Sequence, residues 1–222
     1  MRWKPVEWTG RVLRKTGTAI LRRGGLRGIW IDVGAHHGET TLGYANHNPG
    51  LTIYAFEPNL RAAATLIGRA PNFVVLPMAV AETDGCADFH INAFDAASSL
   101  LSMDENARRS WAGGEQLQPQ KTVTVPTLRL DTFFDLAGIA HVDLLKIDAQ
   151  GADLAVLRSA GSRLRDVAKI ALEVDISPRR LYVGSASRSE VVDFLTAAGF
   201  AMVAEETQSQ GQEQNLTFTR ID

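Results

Sequence analysis

Asp32-Val33-Gly34-Ala35-His36-His37-Gly38 closes a short apolar run, residues 29–33, near the start of the chain. The run has the length and composition of a buried strand. A glycine at its end lets the backbone turn sharply and brings N–H groups toward a ligand, while Gly38 lets the next helix begin close to the strand. A structural turn with no ligand is the competing reading of this loop. Outward from it, strands and helices alternate. Residues 39–45 are helical in composition and are broken by Asn48-Pro49-Gly50. A strand over 51–56, an alanine-rich helix over 60–69 and a strand over 73–76 follow. After a long interruption come a buried strand over 142–147, a helix over 152–159 stopping at Gly161, and a strand over 168–174. A helix over 187–198 is capped by Ser187 or Ser189, and strands over 200–205 and 216–221 flank a polar loop, 207–215.

Apolar strands alternating with helices predict a doubly wound, mostly parallel α/β sheet of seven strands. The last two strands have no helix between them, so they form a C-terminal antiparallel hairpin. The alternation breaks over 85–130. There, residues 88–92 and 122–125 alternate with period two and predict a small β-ribbon, with a long polar loop, 94–120, between them. Such a loop is either a functional lid or mobile.

Composition narrows the class. Apolar residues make up 45 % and charged residues 22 % of 222 residues, which suits one core-forming domain. The lone Cys86 excludes an internal disulfide framework and a multi-cysteine zinc site. No apolar stretch approaches the roughly 18–20 residues of a membrane span, and no signal-peptide core is present, so a cytoplasmic protein is expected. Charge is unevenly placed. Residues 1–28 carry eight Lys or Arg against one acid, a net +7, whereas residues 29–222 carry −9. We therefore expect two parts: a basic, helical extension over 1–28 and a catalytic domain over 29–222 with its insertion at 85–130. The extension either packs on the acidic domain or makes a peripheral membrane contact through an apolar stripe that includes Trp3 and Trp8. The acidic body argues against a nucleic-acid partner.

Four places carry chemistry. In the loop after the first strand, His36 stands where a dinucleotide fold needs a second glycine to admit pyrophosphate. That disfavours a nicotinamide cofactor and suits a ligand without phosphates, such as the methionine end of S-adenosylmethionine. Glu57, 25 residues beyond Asp32 and followed by Pro58, ends the second strand, where an acid can accept hydrogen bonds from both ribose hydroxyls. In Lys146-Ile147-Asp148-Ala149-Gln150-Gly151-Ala152-Asp153, a buried strand delivers Asp148 to the same sheet edge. A charge ending an apolar strand needs a partner, and Asp153 reads most simply as a helix-start acid. Glu173 and Asp175 end the fifth strand and point to one side.

Taken together, Ile31-Asp32-Val33-Gly34-Ala35-His36-His37-Gly38-Glu39-Thr40, Phe56-Glu57-Pro58-Asn59, Ser98-Ser99-Leu100, Thr127-Leu128-Arg129-Leu130-Asp131 and the 146–153 stretch resemble the FkbM family from about Trp30 to the C-terminus. The resemblance implies a Rossmann-like class I methyltransferase that uses S-adenosylmethionine, with a small-molecule or glycan hydroxyl as acceptor. It puts Asp32, Gly34, Ala35, His36, Gly38, Glu57, Pro58 and Asp148 at the cofactor. Two positions depart from the family signature, which has Glu at both: Gln150, which lacks the charge of a base, and Asp153, which has a shorter reach.

For the acceptor's proton, His36 is the first candidate base and Asp148 the second. Ser98, Ser99, Trp111, Glu173 and Asp175 are candidate acceptor-site residues, with Trp111 either stacking on a sugar or packing inside the insertion. No metal is expected, because adjacent histidines do not easily converge. A magnesium ion on Asp148 and Asp175 is the one exception weighed. The alternative to an enzyme is a protein that holds S-adenosylmethionine or a nucleoside without turnover. Oligomeric state is not readable.

Overall fold

The computed structural model describes residues 25–221. Residues 1–24 of the expected basic extension, with the membrane contact weighed for it, lie outside them. Arg27 and Gly28, expected to end that helix, begin a strand instead, because they pair with Gly50 and Leu51. Among the described residues, no helix is long and apolar enough to cross a membrane.

Seven strands form one sheet in the order β3-β2-β1-β7-β8-β10-β9. These are β1 (Arg27–Val33), β2 (Gly50–Phe56), β3 (Phe73–Leu76), β7 (Leu144–Ile147), β8 (Lys169–Asp175), β9 (Phe200–Gln208) and β10 (Glu213–Arg220). β1 pairs in parallel with both β2 and β7. β10 runs antiparallel to both β8 and β9. The predicted doubly wound sheet with a terminal hairpin is therefore the observed one. The expected loop at 207–215 is mostly strand, because β9 and β10 pair from Gln208 and Glu213 onward.

β7 is buried at all four positions. Its side chains alternate between two cores: Leu145 and Ile147 join Ile31, Phe56, Phe134 and Leu172 on one face, and Leu144 joins Trp30, Leu51, Ile53 and Leu66 on the other. Burial on both faces is why these strands read as continuous apolar runs. The chain leaves β1 in one direction and later returns beside it as β7, so the sheet's switch point lies between β1 and β7. Ligands in such sheets bind outside the strands' carboxyl ends at that point.

The helices are α1 (Leu42–His47), α2 (Leu60–Leu66), α3 (Glu105–Ser110), α4 (Leu130–Leu136), α5 (Asp153–Ser159) and α6 (Arg188–Ala197). Ser187 begins α6 with a capping box completed by Glu190. α1 starts three residues later than predicted. Glu39 is taken up by the His36 ring and the His37 N–H, and the Thr41 hydroxyl turns inward to Asp32 instead of capping.

The insertion differs most from expectation. β5 (Gly85–Asn92) and β6 (Pro119–Leu128) pair antiparallel as a longer ribbon, and β4 (Ala79–Val80) adds a third, parallel strand. The stretch read as a long loop holds α3, two 3₁₀ turns (Asp95–Ala97 and Gly114–Gln116) and a small core of Ala97, Trp111, Leu117, Leu181 and Tyr182. Aromatic and aliphatic residues too sparse to show a period still suffice to fold it, because Leu181 and Tyr182 arrive from the far side of β8.

Candidate active site

A cleft opens at the carboxyl ends of β1, β2 and β7, the edge where ligands bind in such sheets. Its apolar wall includes Phe56, Met78, Val80 and Phe89, and its polar side includes Glu57, Asp95, Lys146 and Asp148.

The loop after β1 is clamped from both sides. Gly34 has φ +74°, and a Cβ there would stand 2.0 Å from the Asp148 carbonyl oxygen. Only glycine permits that approach. The N–H groups of Gly34 and Ala35 both donate to the Phe56 carbonyl, at 3.0 and 3.1 Å, and His36 N–H donates to Glu57 Oε2 at 2.7 Å. The three N–H groups expected to face a ligand thus bind the end of β2 instead. Glu57 also accepts from Asn59 N–H at 2.7 Å through Oε1. Burial pushes its carboxyl up despite these two donors. Each oxygen keeps a second lone pair, on a residue that lines the cleft.

Beneath the loop, Lys146 is buried with its ammonium 2.8 Å from the Gly34 carbonyl, 3.0 Å from Asp32 Oδ1 and 3.8 Å from Asp148 Oδ2. Burial alone would lower its pKa. The field of Asp32, then of Asp148, outweighs that and holds it above the usual lysine range. Asp32 is fully buried, also accepts from the Thr41 hydroxyl, and does not line the cleft. It holds the loop from below through Lys146 and Thr41. Gly38 likewise sits behind the wall, packed on Leu42 and Leu66. Gly34, Ala35, His36, Glu57, Pro58 and Asp148 do line the cleft.

Sequence reasoning passed over Lys146, although a lysine inside an apolar strand beside Asp32 is the signal of a buried ion pair. It also passed over Asp95 and Tyr182. Asp95 approaches the loop only through the folded insertion, with Oδ1 3.0 Å from His36 Nε2 and Oδ2 3.4 Å from His37 Nε2. Against the expectation that adjacent histidines do not easily converge, these two rings approach one another and Asp95. His36 adopts φ +48°, which brings the ring centroids to 4.1 Å. Burial would lower the His36 pKa, but its contacts with Glu39 and then Asp95 raise it to about 9.

The candidate acceptor residues divide between two places. Ser98 lines the cleft, and its hydroxyl accepts from Asn92 N–H. The Ser99 hydroxyl donates to the Gln150 carbonyl at 2.7 Å. Trp111, Glu173 and Asp175 instead line a second cavity of about 450 Å³, with Asp148 and Gln150 in the wall common to both spaces. Trp111 is buried in the insertion's core and does not line the cleft. Asp175 is occupied by Ser177 and Leu181 N–H groups, and Asp153 by those of Ala149 and Gly151. Burial raises Asp153 to about 6. Gln150 donates to Asp148 Oδ1 at 2.7 Å and accepts from the Tyr182 hydroxyl at 2.8 Å. A neutral amide there orients Asp148 without adding another negative charge to an acidic neighbourhood.

Around that second cavity, burial raises Asp153, Glu173 and Glu213. Burial pushes Glu213 up to about 7, with Asp148 and Asp175 adding to the shift against a hydrogen bond from Ser209. The native state then holds a proton that the unfolded chain has released above pH about 4.5. Stability is therefore lost as pH rises through that window. Between pH 4.5 and 7 the wild type should lose about 3 kcal/mol relative to Glu213→Gln. Urea denaturation of both proteins across that range checks this, and parallel curves would remove Glu213 from the account.

The family model described as the methyltransferase FkbM domain matches residues 32–202, from the end of β1 into β9. The 2-O-methyltransferase NoeI of Sinorhizobium fredii is 25% identical over 183 residues, covering 80% of this chain and 74% of that protein. Solved structures share the fold at low identity. The magnesium protoporphyrin IX methyltransferase ChlM of Synechocystis, with bound S-adenosylmethionine, has a TM-score of 0.50 at 11% identity, covering 99% of this chain and 87% of that chain. Aeropyrum pernix fibrillarin, with natively bound S-adenosyl-L-methionine, has a TM-score of 0.51 at 12%, covering 92% and 71%. The family match spans the glycine loop, Glu57 and the β7 edge that together build the cleft, and on that ground the chain belongs to the FkbM family of S-adenosylmethionine-dependent methyltransferases.

Proposed function

We propose that this chain transfers the methyl group of S-adenosylmethionine to a hydroxyl oxygen of a sugar or natural-product acceptor. The observation that carries the reading is Glu57, a buried carboxylate on the cleft wall whose remaining lone pairs suit the two ribose hydroxyls. The wall of Phe56, Met78, Val80 and Phe89 suits the flat, apolar faces of adenine. The methionine end then lies along Gly34, Ala35 and His36, with the methyl group directed toward Asp148. Bound S-adenosylmethionine supplies the activated methyl carbon, and the protein's task is to hold the acceptor oxygen in line behind it.

Both ring nitrogens of His36 already face carboxylates, Glu39 and Asp95. Asp148, oriented by Gln150 and lining the cleft, is therefore the group assigned to receive the hydroxyl proton. The name of the relative NoeI, a 2-O-methyltransferase, favours oxygen as the acceptor atom.

The test is calorimetric titration with S-adenosylmethionine, S-adenosylhomocysteine and NAD, followed by transfer of labelled methyl to a panel of oligosaccharide and polyketide alcohols. Binding of the first two, no binding of NAD, and label on an oxygen are expected. Failure of a folded sample to bind S-adenosylmethionine would overturn the reading. Binding with label appearing only on amines would overturn its oxygen specificity.

A further inference from the structure

The geometry points to a second ligand site at the rim of the cleft: His36, His37 and Asp95 form a three-donor seat for a divalent transition metal of the zinc type. Three donor atoms, Nε2 of each imidazole and a carboxylate oxygen, lie within 4.8 Å of one another. They come from consecutive residues and from an insertion turn some sixty residues away. The φ of +48° at His36 makes this convergence possible. The Asp95 oxygens lie 3.0 and 3.4 Å from the two Nε2 atoms. A tetrahedral zinc ion with ligands at about 2.0–2.1 Å sets its donors about 3.3 Å apart.

The hydrogen bonds fix the tautomers. His36 Nδ1 lies 3.0 Å from Glu39 Oε1, and a carboxylate only accepts, so the proton is on Nδ1. His37 Nδ1 lies 3.0 Å from the Thr65 hydroxyl. That hydroxyl gives its single proton to the Ala62 carbonyl at 2.7 Å, so it too accepts from Nδ1. In the neutral imidazoles both Nε2 lone pairs therefore face the Asp95 carboxylate. When a metal ion takes the place of the proton between His36 and Asp95, Nε2 of each ring and the Asp95 carboxylate become its donors. His36 Nε2, buried and close to Asp95, has no partner in hydrogen-bond geometry. Nδ1 held by an outer carboxylate or hydroxyl is also how metal-binding imidazoles are oriented.

Two imidazoles and one carboxylate suit zinc, cobalt or nickel better than magnesium or calcium, which prefer all-oxygen sites. Three protein donors leave a fourth position open. His36 and Asp95 both line the cleft, so the ion would join the loop after β1 to the 3₁₀ turn Asp95–Ala97 across its rim. The inference does not depend on methyl transfer.

The experiment uses the full chain after dialysis against a chelator. Titration with Co²⁺ should give visible ligand-field absorption that saturates near one equivalent and is bleached by Zn²⁺, and Zn²⁺ should raise the Tm by linkage. His37→Ala and Asp95→Ala alter partly exposed side chains, and circular dichroism confirms that each is folded. Each should weaken Co²⁺ binding roughly tenfold or more. Absence of the absorption in the wild type would overturn the site. Undiminished absorption in both variants would do the same, by placing the ion elsewhere.

Discussion

Glu57→Ala is expected to weaken S-adenosylhomocysteine binding by at least about 100-fold. In the proposed pose, the carboxylate accepts both ribose hydroxyls, and each such bond to a charged acceptor contributes about 1.5–3 kcal/mol. Two of them correspond to a factor of at least about 100 in Kd. The same side chain holds His36 N–H and Asn59 N–H at 2.7 Å, so alanine also leaves two backbone donors without their acceptor. Glu57→Gln separates the contributions. It keeps the volume but turns an NH₂ toward one of those donors, and it should lose affinity less steeply while remaining folded. Calorimetric titration of both variants beside the wild type reads the effect. An unchanged Kd in Glu57→Ala would remove the ribose assignment and, with it, the proposed orientation of the cofactor.

Lys146→Met should destabilise the fold by about 3–5 kcal/mol, the usual consequence of removing one partner of a buried ion pair. Asp32 is fully buried and would keep only the Thr41 hydroxyl as a side-chain partner. Its other relief is to take up a proton. At pH 7 that costs about 4 kcal/mol for an aspartate of ordinary pKa, which falls in the same range. The variant should therefore recover stability as the pH is lowered toward 4. The double variant Asp32→Asn with Lys146→Met removes both charges and should regain most of the loss. Urea denaturation at pH 7 and pH 5 measures all three proteins. A Lys146→Met midpoint equal to that of the wild type would show that Asp32 is not held as an ion.

Much of the fold was legible because its signals are local. Doubly buried strands appear as largely apolar runs at 51–56, broken only by Thr52, and at 142–147, broken by Asp143 and Lys146, and Pro, Gly and Asn mark several of their ends. Ser187, one of two N-cap candidates, and Gly199 marked the ends of α6, and the structure selected Ser187. The insertion was misread because its order comes from contacts between distant segments. Trp111 is buried against Leu181 and Tyr182, and β4 pairs with β6 across the ribbon. The cleft was legible in part for a different reason. An acid or glycine at a strand's end stands at the sheet's edge whatever the details, so Gly34, Glu57 and Asp148 could be placed there from strand positions alone.

By itself the sequence determined the order of the main sheet's seven strands, the terminal hairpin and the edge of the sheet where ligands gather, but not the helix Leu130–Leu136 that packs on that sheet. Those follow from the side-chain period, from backbone freedom at glycine and from the need to bury apolar strands. Only the tertiary structure decided which polar side chains serve the cleft and which serve the scaffold. Asp32 went beneath the loop to Lys146, Asp175 to its own turn, and Trp111 into a core. His36, His37 and Asp95 came together at one point. The reason is range: periodicity and turn chemistry act over a few residues, whereas an ion pair or a donor cluster depends on ångström distances between residues that the fold alone makes neighbours.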